Sequence, residues 1–200
     1  MKYTDIEGIP IPVSQLVMGT AFISAEESGA VFDYYVEQGG NCFDTAFVYG
    51  GQGKCEKMVG AWIKDRGVRD KVVLGGKTAA DTSATPKMID DEIPIMLERL
   101  QTDHVDTFMM HRDNPDVPAG EFVDCLNAHR DAGRIKVFGG SNWECARLAE
   151  ANAYATEKGS AGFAVSSPNF SLAVWNESMW PDCVTATDAE SRAFYEETQI

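Results

Sequence analysis

Positive charge is scarce in this 200-residue chain: 17 Lys and Arg stand against 31 Asp and Glu, a formal net charge of -14. A field of that sign repels nucleic acid and anionic membrane surfaces, so neither is an expected partner and small molecules are favoured. Seven of the basic residues fall between Lys54 and Lys77, enough for one local basic site or simply for a solvated helix face. Paired cysteines are missing as well. Cys42, Cys55, Cys125, Cys145 and Cys183 are odd in number and widely spaced, with no C-x-x-C motif to suggest zinc or a redox pair, and read as free thiols in a reducing compartment. No apolar run is long enough to span a bilayer, and Asp5, Glu7, Pro10 and Pro12 interrupt any secretory-type segment. A cytoplasmic location is expected.

Nothing in the middle of the chain resembles a linker. With 44% hydrophobic and 24% charged residues, an ordinary globular balance, residues 1–200 read as one domain. The opening stretch reads as a short strand, a turn at Gly8, a Pro-punctuated second strand and a buried strand near Gln15 to Met18. Ser24 and Glu27 have capping-box spacing, and Val31, Phe32, Tyr35 and Val36 recur at helical intervals until Gly39 and Gly40. Strands are expected at Asn41 to Asp44, Val72 to Leu74, Val105 to Met110, Ile135 to Gly139 and Phe163 to Ser166. Helices are expected at about Lys54 to Lys64, from a Thr85 cap to Leu100, at Ala119 to Asp131 and at Asn142 to Thr156. A last helix, capped by Thr187 with Glu190, runs to about Glu197. Pro94 should kink or split the helix it interrupts before Met96.

Six strand-helix units in this order point to a parallel sheet with both faces covered. A doubly wound nucleotide fold should show G-x-G-x-x-G after its first strand, and Val17 to Phe22 reads VMGTAF instead. The expected fold is therefore an α/β (β/α)8 TIM barrel with an N-terminal β-hairpin. Eight units take about 250 residues, so this chain covers about six of them, and the natural protein is expected to be longer.

In such barrels reactive groups gather at the carboxyl ends of the strands. Asp44, Tyr49, Lys77 and His111 occupy those positions, a set suited to handling protons. Taken singly, Asp44 before Thr45 also reads as a turn, Tyr49 before Gly50 as a loop closure, Lys77 as a surface lysine and His111 as a loop histidine. Jointly they favour a site. His104 and His129 show no ligand spacing and there is no H-x-H, so no metal is expected. Trp62 and Trp143 read as core residues. Trp175 and Trp180 read either as loop anchors or as borders of a pocket.

The strings DTAFVYG (Asp44 to Gly50), GGKT (Gly75 to Thr78), MMHRDN (Met109 to Asn114) and GRIKVFGGSN (Gly133 to Asn142), in this order, resemble the aldo-keto reductases. The resemblance spans essentially the whole chain. It implies an oxidoreductase that reduces an aldehyde or ketone with NADP(H), NAD(H) being the other nicotinamide candidate. Tyr49 would be the proton donor, Lys77 the group that lowers its pKa, Asp44 the counter-ion of the lysine, and His111 the group that orients the carbonyl. It further implies that Gly19, Thr20, Asp44, Ser141, Asn142 and Ser167 face the cofactor, and that Phe22, with Tyr49 and His111, faces the substrate. Ser167 stands where many relatives have glutamine. The aromatic residue that stacks on nicotinamide and the groups that select the 2'-phosphate belong to the seventh and eighth barrel units, past Ile200. A role of another class also fits the resemblance: a non-catalytic, nicotinamide-binding regulatory or redox-sensing subunit.

Overall fold

The computed structural model describes residues 1–21, 24–178 and 180–200. Two short strands, β1 (Tyr3–Thr4) and β2 (Val13–Ser14), pair antiparallel as the expected hairpin. Six parallel strands follow: β3 (Val17–Gly19), β4 (Cys42–Asp44), β5 (Val73–Thr78), β6 (Val105–Met110), β7 (Ile135–Gly140) and β8 (Val165–Ser166). Each pairs with the next in chain order. A doubly wound sheet reverses its strand order partway, whereas this one advances in a single direction, as a (β/α)8 barrel does. The sheet curls over about six of eight units.

Helices α1 (Ala25–Glu37), α2 (Lys54–Arg66), α3 (Pro86–Leu100), α4 (Ala119–Asp131) and α5 (Cys145–Lys158) connect the strands, and α6 (Ala189–Thr198) ends the chain. Their apolar stripes cover the outer face of the sheet. Phe32, Trp62, Ile93, Phe122 and Leu148 from five helices are buried with Phe43, Leu74, Phe108 and Phe138 from four strands. Trp143 joins them, stacked against Phe163 with ring centroids 4.8 Å apart.

Several helix ends follow from single residues. The Ser24 hydroxyl accepts from the Glu27 amide at 3.2 Å and donates to its carboxylate at 2.7 Å, capping the first turn of α1. Thr85 caps α3 by accepting from the Met88 amide. Pro94 does not split α3: Ile89, Ile93, Met96, Leu97 and Leu100 are all buried, and their packing holds the helix through the missing backbone bond. The last helix is capped by Asp188, not Thr187. Its charged side chain accepts from the Ser191 amide at 2.8 Å, while Thr187 is engaged with Thr185. Helix α5 starts three residues later than expected because Asn142 has a left-handed backbone, φ 59°, which no right-handed helix accommodates.

The hairpin packs across the amino end of the sheet, where Ile6, Ile9 and Ile11 meet Val13, Cys42 and Val73. Asn41 and one phenol fasten it. The Tyr35 hydroxyl donates to the Leu16 carbonyl at 2.6 Å, accepts from the Cys42 amide at 3.1 Å and lies 2.9 Å from the Ser14 hydroxyl. Residue 40 must be glycine for the ring to fit, since a Cβ there would sit 2.1 Å from it. All five cysteines are free thiols.

Candidate active site

Each candidate side chain is placed by a backbone bond that carries the sheet ladder past the end of a strand. The amides of Thr45, Phe47, His111, Ser141 and Ser167 donate to the carbonyls of Gly75, Lys77, Thr78, Met110 and Gly140, at 2.7 to 3.1 Å. Residues just beyond the strands are therefore held almost as firmly as those within them. Tyr49 sits in the loop after β4, in a turn closed by its amide on the Ala46 carbonyl.

These groups meet in one cleft of about 620 Å³ at the carboxyl end of the sheet. Asp44, Tyr49, Lys77, His111, Ser141, Asn142 and Ser167 line it, together with Trp175 and Trp180. The rings of Tyr49 and His111 stand edge to face, centroids 5.7 Å apart, and the Lys77 ammonium lies 5.4 Å from the centre of the Tyr49 ring. Lys77 donates to the Asp44 carboxylate; its side chain is 3% exposed and that of Asp44 27%. An ammonium so deeply buried requires such a partner.

The electrostatics differ from the sequence expectation at Tyr49. Burial first, and then the Asp44 carboxylate, push its phenol up to about 12, with Arg112 opposing. Lys77 does not bring the phenol down: its charge is spent on Asp44, and among the described residues it makes no hydrogen bond to the Tyr49 hydroxyl. The His111 imidazole is held down to about 3, by burial and then by the positive charges of Lys77 and Arg112, so it is neutral at ordinary pH. Its Nδ1 is buried without a hydrogen-bond partner among the described residues, and so is the Asn169 Oδ1 in the same cleft.

The remaining expectations divide. Ser141 and Asn142 line the cleft but are also tied into its frame. The Ser141 hydroxyl donates to the Ser167 carbonyl at 3.1 Å. The Asn142 amide donates to Ser141 Oγ and to the His111 carbonyl, and its Oδ1 accepts from the Val184 amide. Gly19 faces the interior of the sheet instead of this cleft, and Thr20 is fully buried with its hydroxyl on the Asp44 carbonyl. Phe22 lies outside the described residues. Among the cleft residues not foreseen are Arg112, Asn169 and Cys183. For Arg112 a signal was present, a basic residue directly after His111 in an acidic chain. Asn169 and Cys183 come together only because the segment after β8 folds back, Asn169 bridging to Thr185, and no sequence period announces that.

A parallel sheet wound in chain order, with phenol, ammonium, carboxylate and imidazole converging beyond its carboxyl ends, defines a barrel protein of the enzyme type. The sequence matches the Aldo/keto reductase family over residues 14–185. It is 33% identical over 163 residues to aldo-keto reductase YhdN of Bacillus subtilis (strain 168), covering 74% of this chain and 49% of that protein. It is 28% identical over 191 residues to the uncharacterized oxidoreductase YrpG of the same strain, covering 86% and 59%. The chain belongs to the aldo/keto reductase family, oxidoreductases that generally use nicotinamide cofactors, and it spans about half the length of these relatives.

Proposed function

We propose that this chain carries the catalytic part of an oxidoreductase that reduces an aldehyde or ketone to an alcohol, with NADP(H), or else NAD(H), as the hydride source and Tyr49 as the proton donor. The observation that supports it is the convergence of Tyr49, Lys77, Asp44 and His111 in one cleft. Residues 1–200 are taken as one domain acting on a small molecule in the cytoplasm. Among the described residues no helix is long and apolar enough to cross a membrane.

The residues present suit a nicotinamide. Its carboxamide needs acceptors as well as donors, and the unpartnered Asn169 Oδ1 stands in the same cleft as the hydroxyls of Ser141 and Ser167. The bound cofactor supplies hydride to the carbonyl carbon; the proton is the work of the chain. With its pKa near 12, Tyr49 keeps its proton at neutral pH and releases it only as the carbonyl oxygen gains charge and becomes strongly basic. The phenolate left behind lies beside the paired Lys77 ammonium and Asp44 carboxylate, whose charges offset each other. Asp44 keeps that ammonium in place, since an unpaired buried charge is costly. His111, neutral, has one ring N–H to offer to the carbonyl oxygen and orients it.

Tyr49→Phe tests this. NADPH oxidation by a panel of aldehydes is expected to fall by roughly 10²- to 10⁴-fold, the usual share of a general acid, with the melting temperature little changed. The second reading, a nicotinamide-binding sensor, draws support from the Lys77 ammonium being committed to Asp44 and not to the phenol. Cofactor binding with no turnover of any aldehyde or ketone would favour it.

A further inference from the structure

The cleft holds a cation with no counter-ion. Of eight arginines, Arg66, Arg69, Arg99, Arg130 and Arg147 each meet a carboxylate; Arg134 bonds to the His129 ring and Arg192 to the Asp188 carbonyl, and neither lines the cleft. Arg112 meets none among the described residues: one N–H donates to the His111 carbonyl at 2.8 Å and another reaches the Cys183 sulfur at 3.3 Å. A guanidinium has five N–H groups, so three remain uncommitted. Lys77 and Asp44 cancel each other and His111 is neutral, which leaves the cleft with a net charge of about +1 in a protein of -14. Carboxylates are abundant on this chain, yet among the described residues none is placed against Arg112, and its charge is felt at both Tyr49 and His111.

We propose that Arg112 is a specificity-determining residue that binds the carboxylate of an anionic carbonyl substrate, the apolar body of which packs against Val48, Trp175 and Trp180. Arginine suits this role because its planar fork matches the two oxygens of a carboxylate and holds them at a fixed orientation. The apolar residues lie in the same cleft as the guanidinium, so a compact aromatic or aliphatic acid bearing an aldehyde or ketone meets both. A positive site inside a negative protein also selects: neutral carbonyl compounds gain nothing from it, and cations are repelled. The proposal rests on the carbonyl-reductase reading for what happens to the substrate, but not for what the cleft binds.

The test compares 4-formylbenzoate with its methyl ester, in turnover and in calorimetric binding, for the unaltered protein and for Arg112→Met and Arg112→Lys. The unaltered protein is expected to prefer the carboxylate at least tenfold in kcat/KM. In Arg112→Met that preference should fall to near one, mainly through KM, with Arg112→Lys in between. Binding of 4-formylbenzoate should weaken at least tenfold in Arg112→Met and, in the unaltered protein, at 0.5 M salt. An unchanged preference in Arg112→Met overturns the proposal. A loss of NADPH affinity in that variant with the preference intact also overturns it, because the guanidinium would then serve a cofactor phosphate. If nothing is turned over but carboxylate binding still depends on Arg112, the reductase reading fails and the carboxylate site stands. Should Arg112→Met not fold, salt-independent carboxylate binding by the unaltered protein, or full affinity in Arg112→Lys at high salt, would overturn it.

Discussion

The middle of the sheet and its two margins are built differently. Strands β5 and β6 run six residues each with every residue buried, whereas β3 and β8 have three and two residues and none is buried. Parallel strands need cover on both faces, and only the middle has it in full. The candidate site draws on both regions. Lys77 and His111 extend from the packed middle, while Ser167 follows a margin. Two of the proton-handling groups thus stand on or directly after fully buried strands, and one candidate nicotinamide contact directly after a strand with no buried residue.

Four changes would break or sharpen that contrast. Phe108→Ala, a fully buried ring of β6, is expected to cost about 3–5 kcal/mol in urea unfolding. Gly139→Ala strikes the seam between β7 and the β8 margin. Its Cβ would lie 1.7 Å from the Val165 carbonyl oxygen, a backbone atom that cannot swing aside, so β8 must shift. A cost of about 3 kcal/mol is expected, with cofactor affinity falling more than that of Phe108→Ala measured while folded. If affinity is untouched, the margin does not shape that part of the cleft.

The third change concerns pH. Between 6.5 and about 3 the unfolded chain takes up a proton at His111 that the folded chain refuses, so stability falls as pH falls through that window. The slope is up to about 1.4 kcal/mol per pH unit. Going from pH 7 to 4.5, His111→Asn should therefore lose about 2 kcal/mol less than the unaltered protein. An identical acid loss in both would show that the end of β6 is wetter than its packing indicates. The smallest effect is expected at Val17→Ala, on β3 and 46% exposed, within about 0.5 kcal/mol by thermal unfolding. A loss comparable with that of Phe108→Ala would abolish the distinction between margin and middle.

The same contrast explains what could be read from the sequence. Val105–Met110 and Ala119–Asp131 were legible to the residue because a continuous apolar run and a helical period each met clear stops. At the margin the strand expected from Phe163 shrinks to Val165–Ser166, since the Phe163 amide is taken by the Asn152 side chain of α5, a long-range bond with no local signature. Tyr49, Lys77, Asp44 and His111 were legible because strand ends can be located from pattern alone. The pairing of Lys77 with Asp44 was foreseen as well; that the ammonium would make no hydrogen bond to the phenol among the described residues was not, because side-chain direction in a buried cluster is settled by packing. Arg112 was passed over although it directly follows His111, because its lack of a carboxylate partner among the described residues shows only in the structure.

The Tyr35 hydroxyl touches the hairpin, the approach to β3 and the start of β4 at one point. Those three segments consequently share a latch. A fluctuation that withdraws the phenol leaves the Cys42 amide to the Ser14 hydroxyl alone, while Asn41 still holds the Ser14 amide and the Pro12 carbonyl. Hydrogen exchange should therefore report the amino-end cover opening as one cooperative unit, with Tyr35→Phe quickening exchange at Cys42 while the amides of β6 keep their protection.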